Sequence, residues 1–441
     1  MNDRSPPLQT DSQMLGAIQR GAFEYFLHET NAANGLVRDK TCAEWPASIA
    51  AVGLGLTAYP VGVERGFLTR EAAAERTLTT LRFFWNSKQG PEPDATGHMG
   101  FYYHFLDMQT GARAWHCELS TVDSAFLLGG MLISAAYFDG DAPPEREIRD
   151  LAERLYARVD WQWARNGGVT VTHGWKPESG FLPYRWEGYD EALLVYVLGL
   201  GSPTHALPPE SYRAWASTYE WKTVYDIQYL YAGPFFTHQL SHVWIDFRGI
   251  QDAFMRQHGS DYFENSRRAT FVQQQYGIRN PGGFEHYGEF CWGITASEGP
   301  GEITRKIDGI ERRFFGYLAR AVPYGPDDGT IAPWAVVASL PFAPEIVVPT
   351  ITDFKRWQRA GDHRYGFKAA FNPTFPDPGG LPNGWVSPWY FGINEGPSIV
   401  MIENYKSALI WQLMHGCQYL VAGLRAAGFD GGWLSNDERR P

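Results

Sequence analysis

The sequence predicts an all-α protein, a single α/α barrel with long inserted loops and a few short strands. Three observations carry that expectation. Stretches 47–59 (ASIAAVGLGLTAY), 120–138 (STVDSAFLLGGMLISAAYF) and 192–198 (ALLVYVL) are apolar nearly all round, and a helix of that kind is a buried one. Amphipathic stretches lie between them. In 143–163 the residues Ile148, Leu151, Leu155 and Val159 form one stripe while charges fill the other face, as on a surface helix. Finally, the β-branched runs that a doubly wound α/β sheet would need between its helices are few. Inner helices paired with outer ones around one axis account for all three.

The totals set the class. A chain of 441 residues with 44 % hydrophobic and 20 % charged residues buries a large core. Its net charge of -11 argues against nucleic acid and anionic membranes, which need a basic face. No run approaches a membrane span. The opening MNDRSPPLQT is polar and has no apolar core of a leader. The expectation is a cytoplasmic protein, or a periplasmic one whose signal was removed. Cys42, Cys117, Cys291 and Cys417 lie far apart without C-x-x-C spacing. They are expected to be buried thiols, and no metal or cofactor is expected. With no composition break, residues 12–427 read as the barrel, 1–11 as a flexible tail and 428–441 as a second tail.

In chain order, 11–29 reads as an amphipathic helix and 69–87 as another, capped by Thr69. FYYHFLD at 101–107 reads as a strand pairing with 111–117. Ser120 and Asp123 resemble a capping box. GVTVTHGW at 168–175 reads as a hairpin, 219–248 as aromatic and irregular, and 250–275 as one long helix. Residues 344–360 read as a surface helix, 365–390 as a proline-rich loop and 396–427 as a last helical stretch.

Candidate chemistry sits where carboxylates meet apolar walls. Glu187, Asp190 and Glu191 precede the 192–198 run. Acidic residues also suit a helix N-terminus through its dipole, which fits Asp190 best. Glu191 directly abuts the apolar run, where a carboxyl group stays protonated near neutrality and serves as a general acid. Glu118 and Asp123 flank Ser120. In SHVWIDFR the residues His242, Trp244 and Asp246 alternate, so an extended chain would aim them one way, and Trp with polar groups on one face suits a sugar. The competing expectation for Asp246 is an ion pair with Arg248. The glycine-rich GFEHYGEFCWGITASEGPG adds Glu289, Trp292 and Glu298. No G-x-S-x-G, phosphate loop or H-E-x-x-H occurs.

These segments together resemble a known family. ELSTVDSAFLLGG, GYDEALLVYVLGLGSPTH, SHVWIDFRG, YGEFCWGITASEGP, DDGTIAPWAVVASLPFAP, YGFKAAFNPTF and FGINEGPSIVMIENYKSALIW are similar to the bacterial glycoamylase-like family. That family includes the β-1,2-glucanases of glycoside hydrolase family 144 and, more distantly, the cyclising domain of cyclic β-1,2-glucan synthases. The resemblance implies an (α/α)6 barrel and inverting cleavage of β-1,2-glucan or sophoro-oligosaccharides. It places Glu191, in the G-Y-[ND]-E motif, in the catalytic pocket. It also implies a second carboxylate in G-F-x-[DE]-A-F, where this chain has Ala369. Either the lineage has lost or moved its base, or the chain is an inactivated variant. Asp123, Glu298 and Asp246 are the substitutes for that role, and Glu187, Glu118, His242, Trp244, Arg248, Glu289, Trp292 and Glu403 are candidate substrate contacts. The rival expectations are transglycosylation, as in the cyclising relatives, and a silent glucan-binding protein.

Overall fold

The computed structural model describes residues 11–357, 364–376 and 384–439. The expected N-terminal tail (bar Asp11), the end of the helix expected at 344–360 and part of the loop expected at 365–390 lie outside the described residues. In chain order, outer helix α1 (Asp11–His28) leads to inner α2 (Ile49–Glu64), and outer α3 (Arg70–Asn86) to inner α4 (Thr121–Tyr137). Outer α5 (Pro143–Ala157) leads through the single turn α6 (Trp161–Ala164) to inner α7 (Leu193–Leu200). The second half is less regular. Outer α8 (Pro209–Ala216) is followed inside by two 3-10 turns, Phe235–His238 and Leu240–Val243. Then come α9 (Ala253–Gln257), outer α10 (Tyr262–Arg279), the short inner α11 (Pro333–Val337), outer α12 (Pro344–Trp357) and inner α13 (Gly392–Lys406). Helices α14 (Leu409–His415) and α15 (Gln418–Ala426) follow.

The inner elements close a ring. α2 packs between α13 and α4, α4 packs on α7, and α11 packs on α13. The 3-10 pair completes the ring through side chains. Ser241 reaches α7 by accepting from the Leu194 N–H, and Gln239 reaches the α11 region by donating to Ser339 Oγ at 2.6 Å. This is the α/α barrel expected from the sequence, and its cause is visible in burial. Fourteen residues of α2, from Ile49 to Gly62, are buried without a break. α5 buries Ile148, Leu151 and Leu155 and leaves its charges outside, except Glu145, which is buried against Arg70 at 2.8 Å. At the α2–α4 crossing the backbones touch, for a Cβ on Gly130 would lie 2.1 Å from the Gly53 carbonyl oxygen. Only glycine permits that approach. Thr69 caps α3 and Ser120 caps α4, each accepting from the N–H three residues on.

Several local expectations need correction. Phe101–Tyr103 pairs with Gly97–His98 and Leu119–Ser120 in a five-stranded antiparallel sheet that continues through Gly174–Lys176 to Gly180–Phe181. The pairing expected between 101–107 and 111–117 forms only at its inner end, where Leu106 bridges Arg113, the Asp107 N–H donates to the Ala112 carbonyl and the Ala114 N–H to the Phe105 carbonyl. Trp115 and His116 then adopt left-handed backbone that ends the strand. The 168–175 hairpin is displaced, since the reversal comes between Lys176 and Gly180. The helix expected at 250–275 is two, broken where Gly259 takes φ +58° and Asp261 caps α10 anew. The last helical stretch is three helices. Residues 428–439 are no tail: Phe429 and Leu434 are buried and Asp430 bridges to Gln251. Among the described residues no helix is long and apolar enough to cross a membrane, and the four cysteines are free, Cys42 alone being half-buried.

Candidate active site

Inner helices α2, α4 and α13 bring their N-terminal ends to one rim, where connecting segments stitch them together. The Ile49 N–H, opening α2, donates to the His104 carbonyl, and the His104 N–H donates to the Glu118 carbonyl just ahead of α4. The Gly392 N–H, opening α13, donates to the Asp39 carbonyl. Three chemistry-bearing residues are thus fixed by backbone before any side chain is considered. Glu191 arrives just ahead of α7, where Ser241 Oγ donates to its carbonyl at 3.5 Å.

The side chains converge. His104 Nδ1 meets Glu118 Oε1 at 2.9 Å, and its Nε2 lies 3.7 Å from Asp123 Oδ2. Ser120 Oγ donates to the same Asp123 oxygen, so both contacts fall on Oδ2. Trp45 Nε1 donates to Asp39 Oδ2 at 3.0 Å. Lys40 Nζ donates to Glu298 Oε1 at 3.1 Å and rests 4.1 Å from the centre of the Trp45 ring. Ser387 Oγ donates to Glu298 Oε2 at 2.7 Å. Ala369 is buried one pairing away: its N–H donates to Trp389 O, and the Ala370 carbonyl accepts from Ser387 N. Trp186 donates to Thr121 Oγ1, and its ring stacks on His173 at 3.8 Å.

Electrostatics ties the groups into one site. Glu191 keeps partial solvent access yet lies deep in the protein. Burial, helped by the charge of Asp123, pushes its carboxyl up to about 7. Burial also raises Asp39 to about 6, against the pull of His104, Trp45 and Lys40. For His104, burial opposes the charge, but Asp123, Glu118 and Asp39 prevail and lift the imidazole to about 9. Tyr317 is 67 % exposed, yet desolvation by the protein around it, with the charges of Asp39, Asp123 and Glu191, pushes the phenol up to about 12. The charge of Asp123 thus reaches Glu191, and the charges of both reach Tyr317. The arrangement offers one carboxyl that holds its proton near neutrality and a second carboxylate whose charge reaches it. Among the described residues no group of three or more His, Cys, Asp or Glu side chains is placed to hold a metal ion. A surface cavity of about 680 Å³ beside α3, lined by Arg82, Phe83, Lys88 and Asp94, lies outside the ring and holds none of these groups.

Of the residues expected from sequence, the structure brings Glu191, Asp123, Glu118 and Glu298 together and puts Ala369 alongside. The others go elsewhere. Glu187 is exposed and accepts from Thr170 Oγ1 at 2.8 Å. Asp190 turns away to accept from Ala192 N and Trp215 Nε1. The extended face expected of SHVWIDFR does not form, because Leu240–Val243 is a 3-10 turn inside the ring. His242 is core, bonded to Ser266 Oγ. Trp244 is core too, donating to Thr57 Oγ1 on α2 and stacking on Phe126 of α4. Asp246 is gripped by Arg248 at 2.7 Å and faces His415. Burial raises its carboxyl, but these partners overcome that and hold it at about 2. It sits at the far rim, where Asn404 near the end of α13 donates to the Val243 carbonyl. Glu403 belongs to that rim as well, paired with Arg65 just past α2 at 2.6 Å. Trp292 is fully buried and donates to the Glu289 carbonyl, while the Glu289 residue itself is exposed. Sequence reasoning missed Asp39, Lys40, Trp45, His104 and Tyr317. The DK and EWP letters of the 34–46 segment were the only local signal of the first three.

Comparison with known proteins agrees with the fold. The family described as "Glycoamylase: Putative glucoamylase" matches residues 183–418. A "putative glucoamylase" of Bacteroides uniformis is 32 % identical, with a TM-score of 0.85 over 97 % of this chain and 100 % of that one. The endo-β-1,2-glucanase of Chitinophaga pinensis, solved with sophorotriose and glucose, is 26 % identical, with a TM-score of 0.84 over 97 % of this chain and 100 % of that one. The exo β-1,2-glucooligosaccharide sophorohydrolase of Parabacteroides distasonis is 28 % identical over 92 % of this chain, which spans 56 % of that relative's length. With the matched stretch covering more than half its length, and that stretch carrying Glu191, Glu298 and Ala369, this chain belongs to the glycoamylase family.

Proposed function

We propose that the protein is a glycoside hydrolase that cleaves β-1,2-linked glucan or its oligosaccharides with inversion. Glu191 is the general acid and Asp123 the general base. The observation that carries the proposal is Glu191 itself, a deep carboxyl that burial raises to about 7, with the charge of Asp123 adding to the rise. An acid poised near the working pH protonates a leaving oxygen well. Inversion needs a second carboxylate about 6.5–9.5 Å away with room for water. Asp123 suits the role because Ser120 and His104 hold one of its oxygens and thereby orient the other. The choice of β-1,2 linkage is supported by the activities named for the Chitinophaga and Parabacteroides relatives.

Ala369 favours a second reading. Without a carboxylate at that position the protein would hold glucan silently or transfer glucosyl units instead of hydrolysing them. Three proteins decide the matter on β-1,2-glucan: the chain as it stands, Asp123→Asn and Ala369→Asp. Hydrolysis by the unaltered chain, lost by about 10²–10⁴-fold in Asp123→Asn, supports the assignment. An inactive chain switched on by Ala369→Asp makes 369 the base position and this sequence a silenced form. Rings or lengthened chains among the products identify a transferase.

A further inference from the structure

We propose that Trp115 is a sugar platform at the outer edge of the carboxylate cluster, stacking on one glucosyl ring of a long substrate beyond the carboxylates and so favouring extended chains over short ones. This rests on reading the cluster as a glucan site. A single exposed indole needs no explanation in itself, but this one is connected and clamped. Trp115 is 55 % exposed. Its ring meets the Trp45 ring edge-on at 4.7 Å and the Phe105 ring at 5.1 Å. Each neighbour leads inward to a carboxylate. Trp45 donates to Asp39, and Phe105 stacks on His104 at 3.9 Å, which holds Glu118. The indole therefore stands at the outer end of two arms that both finish in the catalytic cluster.

The backbone is also held in a conformation that side chains rarely adopt. Trp115 and His116 have φ of 53° and 51°. Arg113, with its side chain 1 % exposed, maintains the turn. It donates to the carbonyls of Cys117 and His116 and pairs with Glu178 at 2.6 Å. Two adjacent left-handed residues clamped by a buried arginine, with the result that an indole faces solvent, follow the pattern of backbone strain kept at functional sites. The flat apolar face of an indole suits the C–H face of a pyranose.

The test compares the unaltered protein with Trp115→Ala, Trp115→Phe and Trp115→Asn. Kinetics are measured on a β-1,2-linked trisaccharide and on β-1,2-glucan polymer, and thermal melting is recorded for each protein. The ratio of kcat/KM for polymer to that for trisaccharide falls about tenfold in Trp115→Ala, through KM, and Trp115→Phe restores most of it. Asparagine tolerates the left-handed backbone, so Trp115→Asn gives the same fall should the alanine variant melt early. An unchanged ratio in both variants overturns the platform. Absence of cleavage by the unaltered protein overturns the hydrolase reading instead. Titration calorimetry with the same two glucans then judges the platform alone: loss of preferential polymer binding in Trp115→Ala supports it, and equal binding overturns it.

Discussion

In the proposed reaction Glu191 keeps a proton near neutrality and gives it up to a leaving oxygen. Its position supplies the first property, because burial beside the apolar α7 disfavours the charged form and nearby Asp123 adds to the effect. The second property gives a pH dependence. The acid works only while protonated, so kcat/KM falls as pH rises through about 7. Glu191→Gln lowers kcat by about 10²–10⁴-fold, and a pH–rate profile of that variant lacks the alkaline limb. A loss under about tenfold, or a limb that persists, removes Glu191 from the role. Glu191 was legible in the sequence because the cue is local, an acid abutting seven residues with no charge. Asp39, His104 and Tyr317 were not, since each comes from a separate connecting segment and only the closed ring makes them neighbours.

Elements explain the largest misreading. His242, Trp244 and Asp246 alternate, and alternation identifies one face only if the chain is extended. Tertiary contacts decided otherwise. Ser241 is needed at the head of α7, and Trp244 fills the space between α2 and α4 against Gly129, where a Cβ would lie 2.9 Å from the indole. The 3-10 turn serves both contacts at once. Trp244→Ala accordingly opens a cavity in the ring and costs about 3–5 kcal/mol of stability in chemical denaturation. A variant that melts normally and binds glucan weakly would return Trp244 to the cleft. On the far rim, Glu403→Ala strands Arg65 beside a vacated buried site. We expect a loss of about 1–3 kcal/mol, below the value for a fully buried pair because Arg65 is a third exposed, with KM for glucan unchanged. A rise in KM without loss of stability would make Glu403 a substrate contact.

At the scale of the molecule, the order of the barrel was readable where burial is written in composition. The all-apolar α2, α4 and α7 alternate with the striped α5 and its outer companions, and that alternation covers the first half. The second half hid its ring because two inner positions have shrunk, one to a pair of 3-10 turns and one to the five residues of α11. Segments so short carry too few turns for a helical period to show. The loops that replaced them bring Glu298 and Tyr317 to the rim, so the irregular half of the barrel equips the site that the regular half supports.

The central claim is inverting hydrolysis of β-1,2-glucan with Glu191 as the acid. Proton NMR of the first products from fresh protein and β-1,2-glucan tests it most directly. Short oligosaccharides are expected whose new reducing ends appear first as the α-anomer, with none formed at a comparable rate by Glu191→Gln. Initial β-anomer, ring-closed or lengthened products, or an unaltered polymer would contradict it.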